Sequence, residues 1–154
     1  MILTIHTPTS EALQDIAERL CAEDVAELDA MGYTDALEVM KTSVAGSREA
    51  YVAHWYGRPQ AVFGVADYEH NTNCGVPWLL STGPRGRIGR EFVKTSRRFI
   101  AEWSPMYCYL FNLVDTRHVR AQRWLMSLGF SPQRVHHVNA HPFIEFGMTP
   151  SCVP

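Results

Sequence analysis

The chain predicts an α/β fold: one mixed sheet with helices on both faces. Three observations carry this. Hydrophobic spacing is helical over roughly the first third of the chain and strand-like after it. Two strand-like segments are joined by Gly57-Arg58-Pro59, which reads as a hairpin and needs antiparallel neighbours. Further on, helical segments alternate with apolar runs, and such crossovers need parallel neighbours.

Each element follows from its residues. Residues 2–6 read as a short strand. Thr9 or Ser10 can cap a helix in which Ala12, Leu13, Ile16, Ala17 and Leu20 share one face. Residues 23–31 keep a helical rhythm up to Gly32, and a third helix over 35–44 ends near Gly46. Residues 51–56 and 61–68 form the hairpin strands, Asn71-Thr-Asn73 marks the next turn, and 76–81 the next strand. Phe92, Ser96, Phe99, Ile100 and Trp103 line one face of a helix, which turns Lys94, Arg97 and Arg98 to solvent and stops at Pro105. Residues 106–114 are continuously apolar and aromatic, as in a strand covered on both faces. Val119, Ala121, Trp124, Leu125 and Leu128 build a last amphipathic helix ending at Gly129. Residues 135–139 and 143–148 then pair around Ala140-His-Pro142. Without repeats or linkers, residues 1–154 read as a single domain.

Bulk properties exclude several classes. With 46% apolar and 19% charged residues, the chain can bury a core and is not a disordered one. Cys21, Cys74, Cys108 and Cys152 form no C-x-x-C pair and read as reduced thiols of a cytoplasmic protein. Neither an export signal nor a run of about 20 apolar residues is visible. The net charge of -2 hides a division: residues 1–69 carry 12 acids against 4 bases, and residues 70–154 carry 4 against 10. The halves are therefore -8 and +6, and an anionic ligand would be steered to the second.

That basic half holds the most informative segment. After the apolar Trp78-Leu-Leu80 come Ser81, Thr82, Gly83, Pro84, Arg85, Gly86, Arg87, Ile88, Gly89 and Arg90, and then a helix. Glycines let backbone N–H groups turn inward as an anion nest, a helix N-terminus adds free donors, and arginines add charge. This is the make-up of a phosphate-binding loop; the alternative is a plain strand–helix connection with solvated arginines. Arg90, Lys94, Arg97 and Arg98 lack the interleaved aromatics of a nucleic-acid surface and read as a solvated helix face.

The element order, with a glycine loop after the fourth strand and a helix ending in Leu128-Gly129-Phe130, resembles the GNAT acyltransferase fold. His118-Val-Arg-Ala121 through Gly129-Phe130 keeps the spacing of that family's Asn-x-x-Ala…Gly-Phe pattern, with His in place of Asn. A tyrosine that acts as general acid in the family falls at Leu125, and Glu91 or Ile88 falls where its phosphate loop has a small residue. The resemblance implies acetyl-CoA held by Leu80, Ser81, Thr82, Arg85, Gly86, Arg87, Ile88, Gly89 and Arg90. It also implies a thioester between splayed fourth and fifth strands, polarised by backbone N–H near Leu80, and transfer to a small or protein amine. A narrower resemblance, through Trp78-Leu-Leu-Ser-Thr82, Arg97-Arg98-Phe99 and Thr116-Arg-His118, is to GNAT-like internal virion proteins of short-tailed bacteriophages. It implies an assembly role beside other virion proteins, with catalysis lost.

Two further residues are catalytic candidates. His118, at a helix start, suits proton transfer near neutral pH or simply bonds nearby backbone. Asp67, at the end of the third strand, is either a general base or a solvated acid. His136, His137 and His141 read as incidental, since adjacent strand residues point to opposite faces, and no metal site is expected. Tyr107 and Tyr109 would share a face of a regular strand.

Overall fold

The computed structural model describes residues 2–84 and 86–150. In chain order the elements are β1 (Leu3–His6), α1 (Ser10–Glu18), α2 (Ala22–Ala30), α3 (Ala36–Gly46), β2 (Glu49–Trp55), β3 (Arg58–Tyr68), β4 (Asn71–Ser81), α4 (Arg87–Trp103), β5 (Tyr109–Asp115), α5 (Val119–Ser127), β6 (Ser131–Val138) and β7 (His141–Met148). They build one seven-stranded sheet in the order β1-β2-β3-β4-β5-β7-β6. All neighbours are antiparallel except β4 and β5, which run parallel.

Local chemistry sets the ends. Thr9 caps α1 by accepting from the Ala12 N–H, and Asp35 caps α3 through the Glu38 N–H. Gly57 turns the β2–β3 hairpin at φ 78°. The last hairpin turns on Asn139 and Ala140, both at positive φ, one residue earlier than the sequence suggests. Two other boundaries shift. Asn71-Thr-Asn73, expected as a turn, is paired strand, and the turn falls at Glu69-His70. Residues 106–108 leave the fifth strand, because Ser104–Met106 closes α4 in a 3-10 turn.

Helices cover both faces. Ala12, Leu13, Ile16, Leu28 and Met40 from α1–α3 pack on Val52, Val62 and Leu80. Phe92, Phe99, Ile100 and Trp103 of α4, with Leu125 of α5, pack on Phe63, Val65, Leu110 and Phe146. Each Val, Leu, Ile, Phe or Met side chain among them contributes roughly 1.5–3 kcal/mol of burial. Tyr51, Phe63 and Phe99 meet as tilted or edge-on rings. No helix among the described residues is long and apolar enough to cross a membrane.

The parallel pair is the feature that matters. β4 and β5 are in register only at Cys74↔Tyr109 and Gly75↔Leu110, and beyond that point they part. Two residues of β4 explain this. The Tyr107 ring lies where any Gly75 side chain would sit, within 2.7–2.8 Å, so the strands touch closely here. Pro77 then has no N–H to give the neighbouring strand. The Asn112 amide takes over instead, donating to the Pro77 carbonyl at 2.8 Å and bracing the fork.

Candidate active site

Backbone groups on a strand alternate in direction. The Thr82 N–H donates to Gln60 of β3, whereas Asn73 accepts from Cys108 beside β5. Leu80 therefore faces β3, and Leu79 presents its N–H and C=O to the opening. The donor expected near Leu80 thus belongs to Leu79. A cavity of about 640 Å³ fills the fork between β4, β5, α4 and α5, with Leu79, Gly83, Gly86, Asn112, Arg123 and Trp124 in its wall.

The glycine loop forms one rim of it. Gly83 and Gly86 stand at φ 81° and 67°, where a side chain would be strained. Gly86 caps α4 without a side chain, and the first intrahelical bond is from Arg90 to the Gly86 carbonyl. The N–H groups of Arg87, Ile88 and Gly89 thus precede the helix ladder. Arg120 clasps the loop from α5, donating to the Gly83 carbonyl at 3.0 Å and to Glu23 at 2.9 Å.

Helix α2 straddles the fork. Its Cys21 N–H donates to the Ser81 carbonyl, and Asp24 accepts from the Ser81 N–H at 2.9 Å, tying it to β4. Three residues on, Glu27 accepts from the Asp115 N–H at 2.7 Å, tying it to β5. Buried His118 completes the group. Its Nε2 lies 2.7 Å from Asp24 Oδ1, and its Nδ1 accepts from the Ala121 N–H at 3.2 Å, capping α5. That network assigns the ring proton to Nε2.

The electrostatics are unusual. Burial, with the charges of Asp24 and Asp115, pushes the Glu27 carboxyl up to about 7. Burial also opposes charging His118, but Asp24 first and then Glu27 and Glu23 outweigh it and raise its pKa above the ordinary value. A second proton on that ring requires Nδ1 to release the cap. Burial pushes the Cys21 thiol up to about 12, so it stays protonated at neutral pH.

Ligand atoms of Asp24, Glu27 and His118 lie within 4.8 Å of one another and could supply three ligands to a divalent cation. Each group is already engaged with a backbone N–H, however, and the His118–Asp24 spacing is that of a hydrogen bond. The arrangement suits holding and moving a proton.

A second cavity, of about 470 Å³, opens on the α2–α3 side of the sheet. Glu27, Leu79, Asn112 and Leu113 belong to both walls, so the two cavities meet across the fork.

The sequence-predicted residues divide accordingly. Ser81, Gly86, Gly89 and Arg90 line the first cavity. Leu80 is buried against α1–α3 and lines only the second. Thr82 turns to Gln60, at 2.6 Å, and neither Arg87 nor Ile88 is in the wall. Arg85 lies outside the described residues, as does Cys152. Ile88 and Glu91, which fall where the resemblance has a small residue, do not line the cavity, and Glu91 faces Lys94. His118 sits in the site, both capping its helix and meeting an acid. Asp67 does not reach it. Both its oxygens are held at 3.0 Å by Arg48, and the Tyr107 hydroxyl adds a 2.6 Å bond, at the closed end of the fork. Tyr109 points instead to Glu145, at 2.5 Å, which also meets His136. Sequence reasoning missed Asp24, Glu27 and Asn112. Asp24, Glu27, Leu28 and Met31 recur at helical spacing, so two acids on the inward stripe of α2 were the available signal.

The fold is that of the GNAT acetyltransferases. An aminoglycoside acetyltransferase, AAC(6')-Ib, in complex with ribostamycin and coenzyme A, superposes with a TM-score of 0.73 at 16% identity over 99% of this chain and 96% of that one. The ribosomal L7/L12 α-N-protein acetyltransferase RimL, in complex with coenzyme A, gives 0.71 at 8% identity over 99% and 97%. The ribosomal-protein-S18-alanine N-acetyltransferase from Escherichia coli gives 0.70 at 13% over 99% and 96%. No protein-family model and no curated protein sequence matches the chain.

Proposed function

We propose that the protein is an acetyl-CoA-dependent N-acetyltransferase. The observation that carries this is the forked sheet, whose opening joins a glycine-rimmed cavity to a second cavity through Glu27 and Asn112. The first suits coenzyme A: the N-terminus of α4 on its rim, a loop without side chains at Gly83 and Gly86, and Arg90 and Arg123 in the wall. Similar folds crystallised with coenzyme A support the assignment.

Acetyl-CoA, when bound, supplies a thioester, so that a C–N bond forms as the C–S bond breaks. The chain's own groups do the rest. The Leu79 N–H, facing the opening, donates to the carbonyl oxygen as charge grows there. Glu27 takes a proton from the acceptor ammonium, and a carboxyl titrating near 7 is matched to that task. Of the two protons an ammonium loses, one leaves through Glu27 to solvent and the other ends on the departing thiol. Asp24 and His118 hold α2 and α5 in place around this carboxylate.

A second reading, an assembly protein of a bacteriophage virion that has lost catalysis, is favoured by one feature. Leu125 is buried where the resemblance places a general acid, and it has no proton to give. The two readings separate experimentally. Calorimetric titration with acetyl-CoA should show binding weakened by Arg90→Ala, and thiol release should depend on an added amine. Absence of heat at millimolar acetyl-CoA removes the transferase; turnover removes the retired protein.

A further inference from the structure

We infer that the acceptor is a small amine bearing a second positive charge, bound in the cavity of about 470 Å³ on the α2–α3 side. This rests on the transferase reading and names the substrate class of the same site. Glu27 lies where this cavity meets the fork, so the reacting nitrogen belongs there. The remaining charged groups in its wall are Asp35 and Glu38, at the start of α3. No lysine or arginine is among the described residues that line it.

Asp35 spends one oxygen on its cap to the Glu38 N–H, at 3.1 Å, and keeps the other. Tyr33, half exposed, and Trp78 add aromatic surface that favours a cation over an anion. Thr34, Thr42 and Ser43 supply hydroxyls for a polar backbone or ring. The volume falls within the range of small-molecule sites. A monoamine engages Glu27 and leaves the two acids of α3 without a partner. A diamine satisfies both ends, with one nitrogen at the fork and the other against Asp35 and Glu38.

The test compares putrescine with n-pentylamine, which replaces one ammonium by a methyl group, in a thiol-release assay. A diaminated sugar separates a cyclic from a linear acceptor, and a neutral peptide with a free N-terminus stands for a protein acceptor. The full-length protein is used, with acetyl-CoA binding measured alongside by calorimetry. We expect kcat/KM for the dications to exceed that for n-pentylamine by roughly tenfold or more, with the advantage shrinking at high salt. Asp35→Asn, which keeps a capping oxygen, combined with Glu38→Gln should erase that advantage by raising KM for the dications, with acetyl-CoA binding unchanged. Equal rates for mono- and diamine, or preference for the peptide, with acetyl-CoA bound, overturn the dication site and leave the transferase standing. Failure to bind acetyl-CoA, or no turnover of any amine, overturns both.

Discussion

Replacing Glu27 with glutamine tests the centre of the site from two sides. Glutamine has the same shape and keeps an oxygen for the Asp115 N–H, so the fork stays tied. It removes the titration. The carboxyl is raised from an ordinary 4.5 to about 7, and that gap is worth about 3 kcal/mol at about 1.36 kcal/mol per pH unit. The sign follows from linkage. Below about pH 4.5 the acid is neutral in both folded and unfolded chains, and nothing is lost. Between about 4.5 and 7 the unfolded chain has released the proton and the folded chain has not, so stability falls as pH rises. Above about 7 both are ionised, and the loss is complete. Urea melts across this range should therefore show the wild-type chain losing about 3 kcal/mol relative to Glu27→Gln, or roughly 6–12 °C in Tm for a chain of this size. The same substitution should lower kcat on the order of 10²–10⁴-fold and abolish an acidic limb near pH 7 in kcat/KM. A stability difference independent of pH would refute the half-buried, proton-holding Glu27. A limb that persists in the variant would assign the base elsewhere.

Other substitutions probe the surroundings. Asp67→Asn should change turnover by less than about twofold and stability by less than about 1 kcal/mol, since its pair with Arg48 is partly exposed; a large loss of activity would restore it as a catalytic candidate. His118→Ala should cost about 3–5 kcal/mol in urea melts, because it takes the His118 ring from buried Asp24 and uncaps α5; a cost under about 1 kcal/mol would contradict the pairing. Gly64→Ala drives a methyl group into the Glu49 carbonyl of the neighbouring strand and should cost at least about 1–3 kcal/mol, read in the same melts.

Most of the fold was legible because its elements bury one face each. The α4 stripe of Phe92, Ser96, Phe99, Ile100 and Trp103 is inward in the structure as its spacing requires. The boundaries that moved lie where tertiary contacts override local signals. Asn71, Thr72 and Asn73 carry turn chemistry, but they sit at the exposed end of β4, where pairing with β3 and β5 costs no polar group its water. Tyr107 looked like strand because it is aromatic among aromatics, yet its ring fills the hollow above Gly75 and its hydroxyl goes to Asp67. The site was half legible. Loop and helix start are local, so Gly86, Gly89 and Arg90 could be read directly. Glu27 depends on a carboxylate meeting the end of a strand 88 residues away, which no local pattern encodes.

The charge division along the chain acquires a spatial meaning here. The acid-rich first part supplies α2 and α3, and therefore Glu27, Asp35 and Glu38 on one side of the sheet. The base-rich second part supplies Arg90, Arg120 and Arg123 around the cavity on the other. For the proposed transfer, this division favours a cation at the first of these entrances and an anion at the second. In the proposed reaction they meet where the sheet is open, which is where Pro77 has no N–H to pair and Asn112 braces the gap. Glu27 stands in that gap, tied to β5 by the Asp115 N–H, while Asp24 one turn earlier ties the same helix to β4. A helix that bridges both arms of the fork fixes Glu27 relative to the Leu79 N–H, the positioning that the proposed acyl transfer needs.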